Sequence, residues 1–387
     1  MNQAAGNGIA QALQALLGDL IAIPSTYPAG STRGIADYCA RRLGTAGYAV
    51  QRLDSGGVAN VVARIGSGAP SVVFNVHADT VEPGERSAWN SDPFQAQFID
   101  GRVYGLGAGN CKGPMAVQLW LAEEVARRGG PRRGEIVFTF VGDEESLGPH
   151  GLKFLRDAGH VKPDILIVGA QTENQLVVEE RGVMWSRLST RGTTAHAGMP
   201  QLGDNAIMRM LRVLQHLETG LVKTVAARAS GTKQATLSVG TISGGSNTNV
   251  VPGHCSVTID RRLLPEENLD DAYAELRAAA LAAGEPAGTV EVELLTGSNG
   301  FDSGRTGQGV AAFSRAIQSL SGAPARFLDV IGVFDGRYFA RDGIEIIDFG
   351  PGEGHEGHAP NESTPLAQLL QAAQIQLQVL RELTNVA

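Results

Sequence analysis

The sequence predicts an α/β fold in two parts: a mixed sheet flanked by helices, built from residues 1–182 and 298–387, and a ferredoxin-like α+β domain inserted at 183–297. Three observations carry that expectation. Val-rich apolar runs alternate with segments whose apolar residues recur at helical spacing, the pattern of strands covered by helices. Between about 183 and 297 the order becomes strand, helix, strand, strand, helix, strand, which is a split βαβ unit. The chain is 387 residues long, more than one core usually holds, since single cores seldom grow past about 250–300 residues.

In chain order, apolar residues at helical spacing from about Ile9 to Ile23, and again from Thr32 to Gly47, predict two covering helices. Short Val-rich strands follow near Val50–Leu53 and Asn60–Ile65. The run Ser71-Val-Val-Phe-Asn-Val-His77 then reads as a buried strand that ends in His77 and Asp79. Side chains two apart on a strand share a face, so Asp79 is placed to orient the His77 imidazole. From Val81 to Gly107 the chain is loop-like, and long loops in compact domains tend to be functional. Gly105-Leu-Gly-Ala-Gly-Asn-Cys-Lys-Gly113 opens a helix from about Pro114, but its Gly and Lys positions match neither nucleotide-binding fingerprint. A strand from Gly134 to Val141 ends in Asp143-Glu144-Glu145, and another from Asp164 to Val168 ends in Gly169-Ala170-Gln171-Thr172. In the insert, a helix at Asp204–Glu218, strands at Ala235–Ile242 and His254–Arg262, a helix at Glu266–Ala283 and a strand at Thr289–Leu295 are expected. The chain returns with a strand at Glu345–Phe349, a Gly-rich stretch to His358 and a last helix from about Pro365 to Leu383.

Composition narrows the function classes. A hydrophobic content of 43% with 19% charged residues is that of a soluble globular protein. Net charge is −8 with no basic run, which argues against a nucleic-acid partner. Cys39, Cys111 and Cys255 are too widely spaced for a disulfide framework or a Cys-x-x-Cys zinc site, so a reducing, cytoplasmic setting is expected. The first 24 residues lack a basic leader and carry Asp19, so they read as an amphipathic helix and not a signal peptide. No apolar stretch is long enough to span a bilayer, so no membrane partner is expected.

The ordered motifs His77-Ala-Asp79, Asp92-Pro-Phe94, Tyr104-Gly-Leu-Gly107, Lys112-Gly113, Asp143-Glu-Glu145, His196-Ala-Gly198, Asn249 with Pro252, Asp260-Arg261, and Gly350-Pro-Gly352 with His358 and Asn361-Glu362 resemble the M20 metallopeptidase and aminoacylase family. The resemblance implies a catalytic domain holding two divalent metals, an inserted lid or dimerisation domain, and hydrolysis of C–N bonds in small substrates. By position, His77, Glu145 and His358 match metal ligands, Glu144 matches the general base, and Asp79 matches the residue that orients His77. His196 matches a donor to the developing negative charge, in many members reaching a neighbouring subunit's site, which implies a homodimer or higher homo-oligomer. Asn249 and Arg261 match positions that hold a substrate carboxylate, for which a guanidinium suits by forked hydrogen bonding.

Two positions depart from the family. Asn110 stands where a bridging Asp is expected, and Ala170, followed by Gln171, stands where a Glu should serve the first metal. A bridging carboxylate offsets the repulsion of two cations about 3.5–4 Å apart, which a neutral amide cannot do. The expectation is one labile ion, manganese, zinc or iron, held by His77, Asn110, Glu145 and His358. The expected function is metal-dependent hydrolysis of a C–N bond in a small carboxylate-bearing substrate. The alternatives are hydrolytic deamination of an activated aromatic amine and an inactive binding protein that keeps only the cleft.

Overall fold

The computed structural model describes residues 3–387, which divide into two compact units. The larger comprises residues 3–178, Ser303–Val330 and Phe334–Ala387, and the smaller comprises Glu179–Asp302 with Ile331–Val333. The boundaries fall a few residues outside the expected 182/183 and 297/298. The reason is local: Glu179–Glu180 pairs with Phe301–Asp302 as a short antiparallel ribbon, so both strands leave the larger unit together.

The larger unit is built on a six-stranded mixed sheet ordered Ala49–Ser55, Val58–Gly66, Glu135–Val141, Ser71–His77, Ile165–Val168, Glu345–Asp348. The first three pair antiparallel, and the last four run parallel. All seven residues of Ser71–His77 are buried, as a strand covered on both faces requires. Helices Gln3–Ile21, Arg33–Thr45, Lys112–Arg127, Gln308–Ser321 and Leu366–Thr384 supply the rest of one contiguous apolar core. Because the strands are parallel here, His77 lies beside Val141, and Asn75 beside Val168, so their carboxyl ends open on one edge of the sheet. In open α/β sheets that edge is where ligands bind.

The smaller unit is the expected split βαβ arrangement. Its antiparallel sheet runs Thr236–Gly244, His254–Leu263, Gly182–Arg191, Val290–Ser298, with helices Ala206–Thr219 and Leu269–Leu281 closing a separate core. Both helices start on an Asn whose side chain accepts two backbone N–H groups, Asn205 and Asn268. Among the described residues no helix is long and apolar enough to cross a membrane.

Candidate active site and metal centre

The loops that leave the parallel strands bring His77, Asp79, Asn110, Glu144, Glu145 and His358 together. His77 Nε2 lies 3.0 Å from Asn110 Oδ1. Asn110 Nδ2 donates to Glu145 Oε1 at 2.9 Å and lies 3.1 Å from His358 Nε2, which is itself 3.0 Å from Glu145 Oε1. Two ligands on one cation at about 2.1 Å each are separated by about 3 Å at a right angle, so Glu145 and His358 already have the spacing of a shared ion. The donor atoms of His77, Glu144 and Glu145 also lie within 4.8 Å of one another.

The orientation of His77 departs from the strand-face expectation. Its Nδ1 donates to the main-chain carbonyl of Asp79 at 3.0 Å, while the Asp79 carboxylate stands off at 3.4 Å. That carboxylate, fully buried, accepts the backbone N–H of Glu145 at 3.1 Å and so fixes the acidic loop. Asp79 lies beyond the last paired residue of the strand, where the chain has turned, and the alternation argument no longer applies. Burial by itself would lower the His77 pKa, but Cys111, Glu144 and Asp79 outweigh it and hold it well above the usual range.

The three consecutive acids do three different things. Asp143 accepts from the Ser146 hydroxyl and from His150 N, at 2.9 Å, so it shapes its own loop. Glu145 faces Asn110 and His358. Glu144 is 8% exposed, with Oε2 3.9 Å from His77 Nε2 and Oε1 accepting from the buried Arg337 guanidinium at 3.2 Å. Burial pushes its pKa up to about 7, against the pull of His77 and Arg337.

Glu362, next to Asn361 in the family-like motif, has a structural role. Its two oxygens accept backbone N–H groups from Gly107 at 2.8 Å, Gly109 at 3.0 Å and Asn110 at 2.6 Å. It thereby clamps the glycine loop that carries Asn110 onto the chain that carries His358. Burial pushes this carboxyl up to about 7 even against three donors. The two departures from the family are plain in space: Ala170 is a buried methyl, and the Gln171 amide packs toward Gly109 and Gly357 with its Oε1 buried and lacking a hydrogen-bond partner. Glu145 and His358 are thus spaced as two ligands of a divalent cation would be, His77 lies on the other side of Asn110, and neither position 110 nor position 170 carries a carboxylate.

In the smaller unit His196 and Asn249 come together. Val250 bridges His196, Ala197 N donates to Asn249 O at 2.9 Å, and both side chains are exposed. Arg261 is a correction. Strand His254–Leu263 alternates, and Arg261 falls on its buried side, fully enclosed, with its guanidinium on Glu275 at 2.8 Å and Glu267 at 3.0 Å. Its charge is spent tying the strand to the following helix, so it is not available to a substrate. Arg262, one residue on and therefore on the opposite face, is 28% exposed and donates through Nε to Asp260 at 3.0 Å.

The sequence model of peptidase family M20/M25/M40 matches residues 73–382. The chain belongs to that family. A succinyl-diaminopimelate desuccinylase of Bordetella parapertussis is 30% identical over 388 residues, covering 97% of this chain and 98% of the relative. An M20 metallo-carboxypeptidase of Sulfolobus solfataricus superposes with a TM-score of 0.78 at 16% identity, over 96% of this chain and 98% of that one. A dinuclear metal-binding M20 peptidase of Bacillus subtilis does so at 0.70 and 16% identity, over 98% and 100%. The two structures share the fold. As an M20 member the chain is a metal-dependent hydrolase acting on amide-type C–N bonds.

Proposed function

We propose that this enzyme hydrolyses the amide bond of a small carboxylate-bearing N-acyl substrate, using one divalent cation at Glu145 and His358 and Glu144 as general base. The observation that carries the reading is the pairing of Glu145 and His358 at 3.0 Å beside a buried, ionisable Glu144. When bound, the cation supplies the Lewis acidity that eases removal of a proton from water. Glu144 takes that proton, the water oxygen forms a bond to the acyl carbon, the C–N bond breaks, and Glu144 returns the proton to the leaving nitrogen. Asn110 turns its Nδ2 to Glu145 and His358 and its Oδ1 to His77, so it would reach the cation only with the amide turned over, and His77, fixed by the Asp79 carbonyl, stands on the far side of it.

His196 is proposed as the donor to the negative charge that builds on the carbonyl oxygen, and Asn249 with Arg262 as the partners of a substrate carboxylate. The 30% identity to a desuccinylase puts N-succinyl amino acids first among candidate substrates. A second reading, hydrolytic loss of an amino group from an activated aromatic carbon, is favoured by Asn110 and Ala170, because with one cation no second one polarises an amide carbonyl. Metal analysis of the purified protein, with turnover assays on N-succinyl and other N-acyl amino acids and on amino-aromatic acids, tests both. One bound manganese, zinc or iron ion with acyl-amide turnover is expected; turnover of the aromatic amines alone would transfer the assignment to the second reading.

The chain is further proposed to form a homodimer through the smaller unit. Strand Thr236–Gly244 is an unpaired sheet edge, exposed along almost its whole length; its Val239 lines one groove with Leu211 of helix Ala206–Thr219, and Ile242 and Met208 are exposed as well. An open edge flanked by apolar side chains is a template for another copy. Light scattering should give a dimer for the unmodified protein and a monomer for Val239→Lys/Ile242→Lys; a monomer before substitution refutes the proposal. The three cysteines are free and buried, which supports the cytoplasmic setting.

A further inference from the structure

Glu144 does not hang freely into the site. Its Oε1 is held by Nη1 of Arg337, which is 3% exposed, 193 residues away in sequence and outside every motif noted in the sequence. Nη2 of the same guanidinium donates to the Tyr338 hydroxyl at 2.9 Å, and that hydroxyl donates to Gly148 O at 2.8 Å, back on the acidic loop. Asp335 lies 3.9 Å from Nη2 and is fixed in turn by Asn75 Nδ2 at 3.0 Å, while Asn75 Oδ1 accepts from Thr139 at 2.7 Å. Asn75 and Thr139 are fully buried polar residues in the two central strands. The arginine is thus anchored to the sheet on one side and to the loop of its target on the other.

A rigid, permanently charged group gripping one carboxylate oxygen fixes the side-chain rotamer and leaves the other oxygen free. Here the free oxygen is Oε2, on the His77 side at 3.9 Å. A stabilising role alone would be weakly served by this arrangement, since replacing a buried ion pair with apolar residues often costs nothing. We infer that Arg337 is the positioning residue for the general base, aiming Glu144 Oε2 at the proton it must take; this rests on the hydrolase reading above.

The test is a double-mutant cycle on the holoenzyme with an N-acyl substrate the wild type turns over. Arg337→Ala should lose about 10²-fold in kcat, the scale of a misplaced acid–base group, with KM and bound-metal content within about threefold of wild type. Ethylguanidinium in the assay should restore at least about tenfold of that loss, and Arg337→Lys should recover part of it. In a Glu144→Gln background the Arg337 substitutions should change the residual rate by less than about threefold, because the group they act through is gone. A folded Arg337→Ala protein with near-normal kcat, a loss that guanidinium does not relieve, or losses that add to Glu144→Gln would each overturn the inference. If Arg337→Ala does not fold, the Arg337→Lys arm of the cycle decides by the same additivity criterion. Wild type without turnover on any amide removes the hydrolase reading and this inference with it; turnover with additive losses removes this inference alone.

Discussion

Glu144→Gln is expected to lower kcat by about 10²- to 10⁴-fold, the usual contribution of a positioned general base, while leaving the bound metal in place. The amide has nearly the shape of the carboxylate and can still accept from Arg337 through its oxygen, so the loop should keep its conformation. The ligand atoms at Glu145 and His358 are untouched. The same residue sets an acid limb in the pH profile. A base works only when ionised, and burial raises the Glu144 pKa to about 7, so kcat/KM should rise with pH through a midpoint near or below 7. A cation beside it pulls the midpoint down and not up, because positive charge favours the ionised form. The check is steady-state kinetics from pH 5 to 9 with metal content measured in parallel. A variant that loses its metal together with its activity, or one that keeps the acid limb, would assign the base to another residue.

What the sequence made legible followed from local chemistry. The buried strand Ser71–His77 was readable to its last residue because a run of apolar side chains ended abruptly in His77. The acidic cluster and the split βαβ insert were readable for the same reason, through pattern within a short window. Contacts between distant segments were not. Arg337 is paired with Glu144, and Glu362 with Gly107, Gly109 and Asn110, across separations of 193 and more than 250 residues. Asn75 and Thr139 did leave a trace, as lone polar residues in apolar strands, the positions where a buried partner has to exist. Arg261 was assigned by motif position when the alternation of its strand already favoured Arg262 for the open face, with Arg261 inside. Asp79 meets His77 with both of its groups, the main-chain carbonyl at 3.0 Å and the carboxylate at 3.4 Å, and only the second is legible from side-chain alternation.

Asn110→Asp alone is expected to make the fold dependent on its metal without adding a second ion, and Asn110→Asp with Ala170→Glu to bind two. Asn110 Nδ2 now donates to Glu145 Oε1 at 2.9 Å. An Asp there faces that carboxylate with like charge, a raw repulsion on the order of 5 kcal/mol at an effective dielectric of about 20, partly relieved by His77 and His358. A cation between the two acids turns that repulsion into attraction. Thermal stability should therefore drop when a chelator is added to Asn110→Asp, and recover with a divalent cation by more than in wild type. The second ion needs more than the bridge, because its remaining ligand is His77 alone, and one imidazole with one shared carboxylate is a weak site. Restoring a carboxylate at 170 supplies the missing charge. Metal stoichiometry after dialysis reads the outcome: one ion in wild type and in Asn110→Asp, two in the double variant. Two ions in wild type would mean that a neutral amide suffices to hold a cation pair, and the argument from the Asn110 side chain to a single-ion centre would fail at its first step.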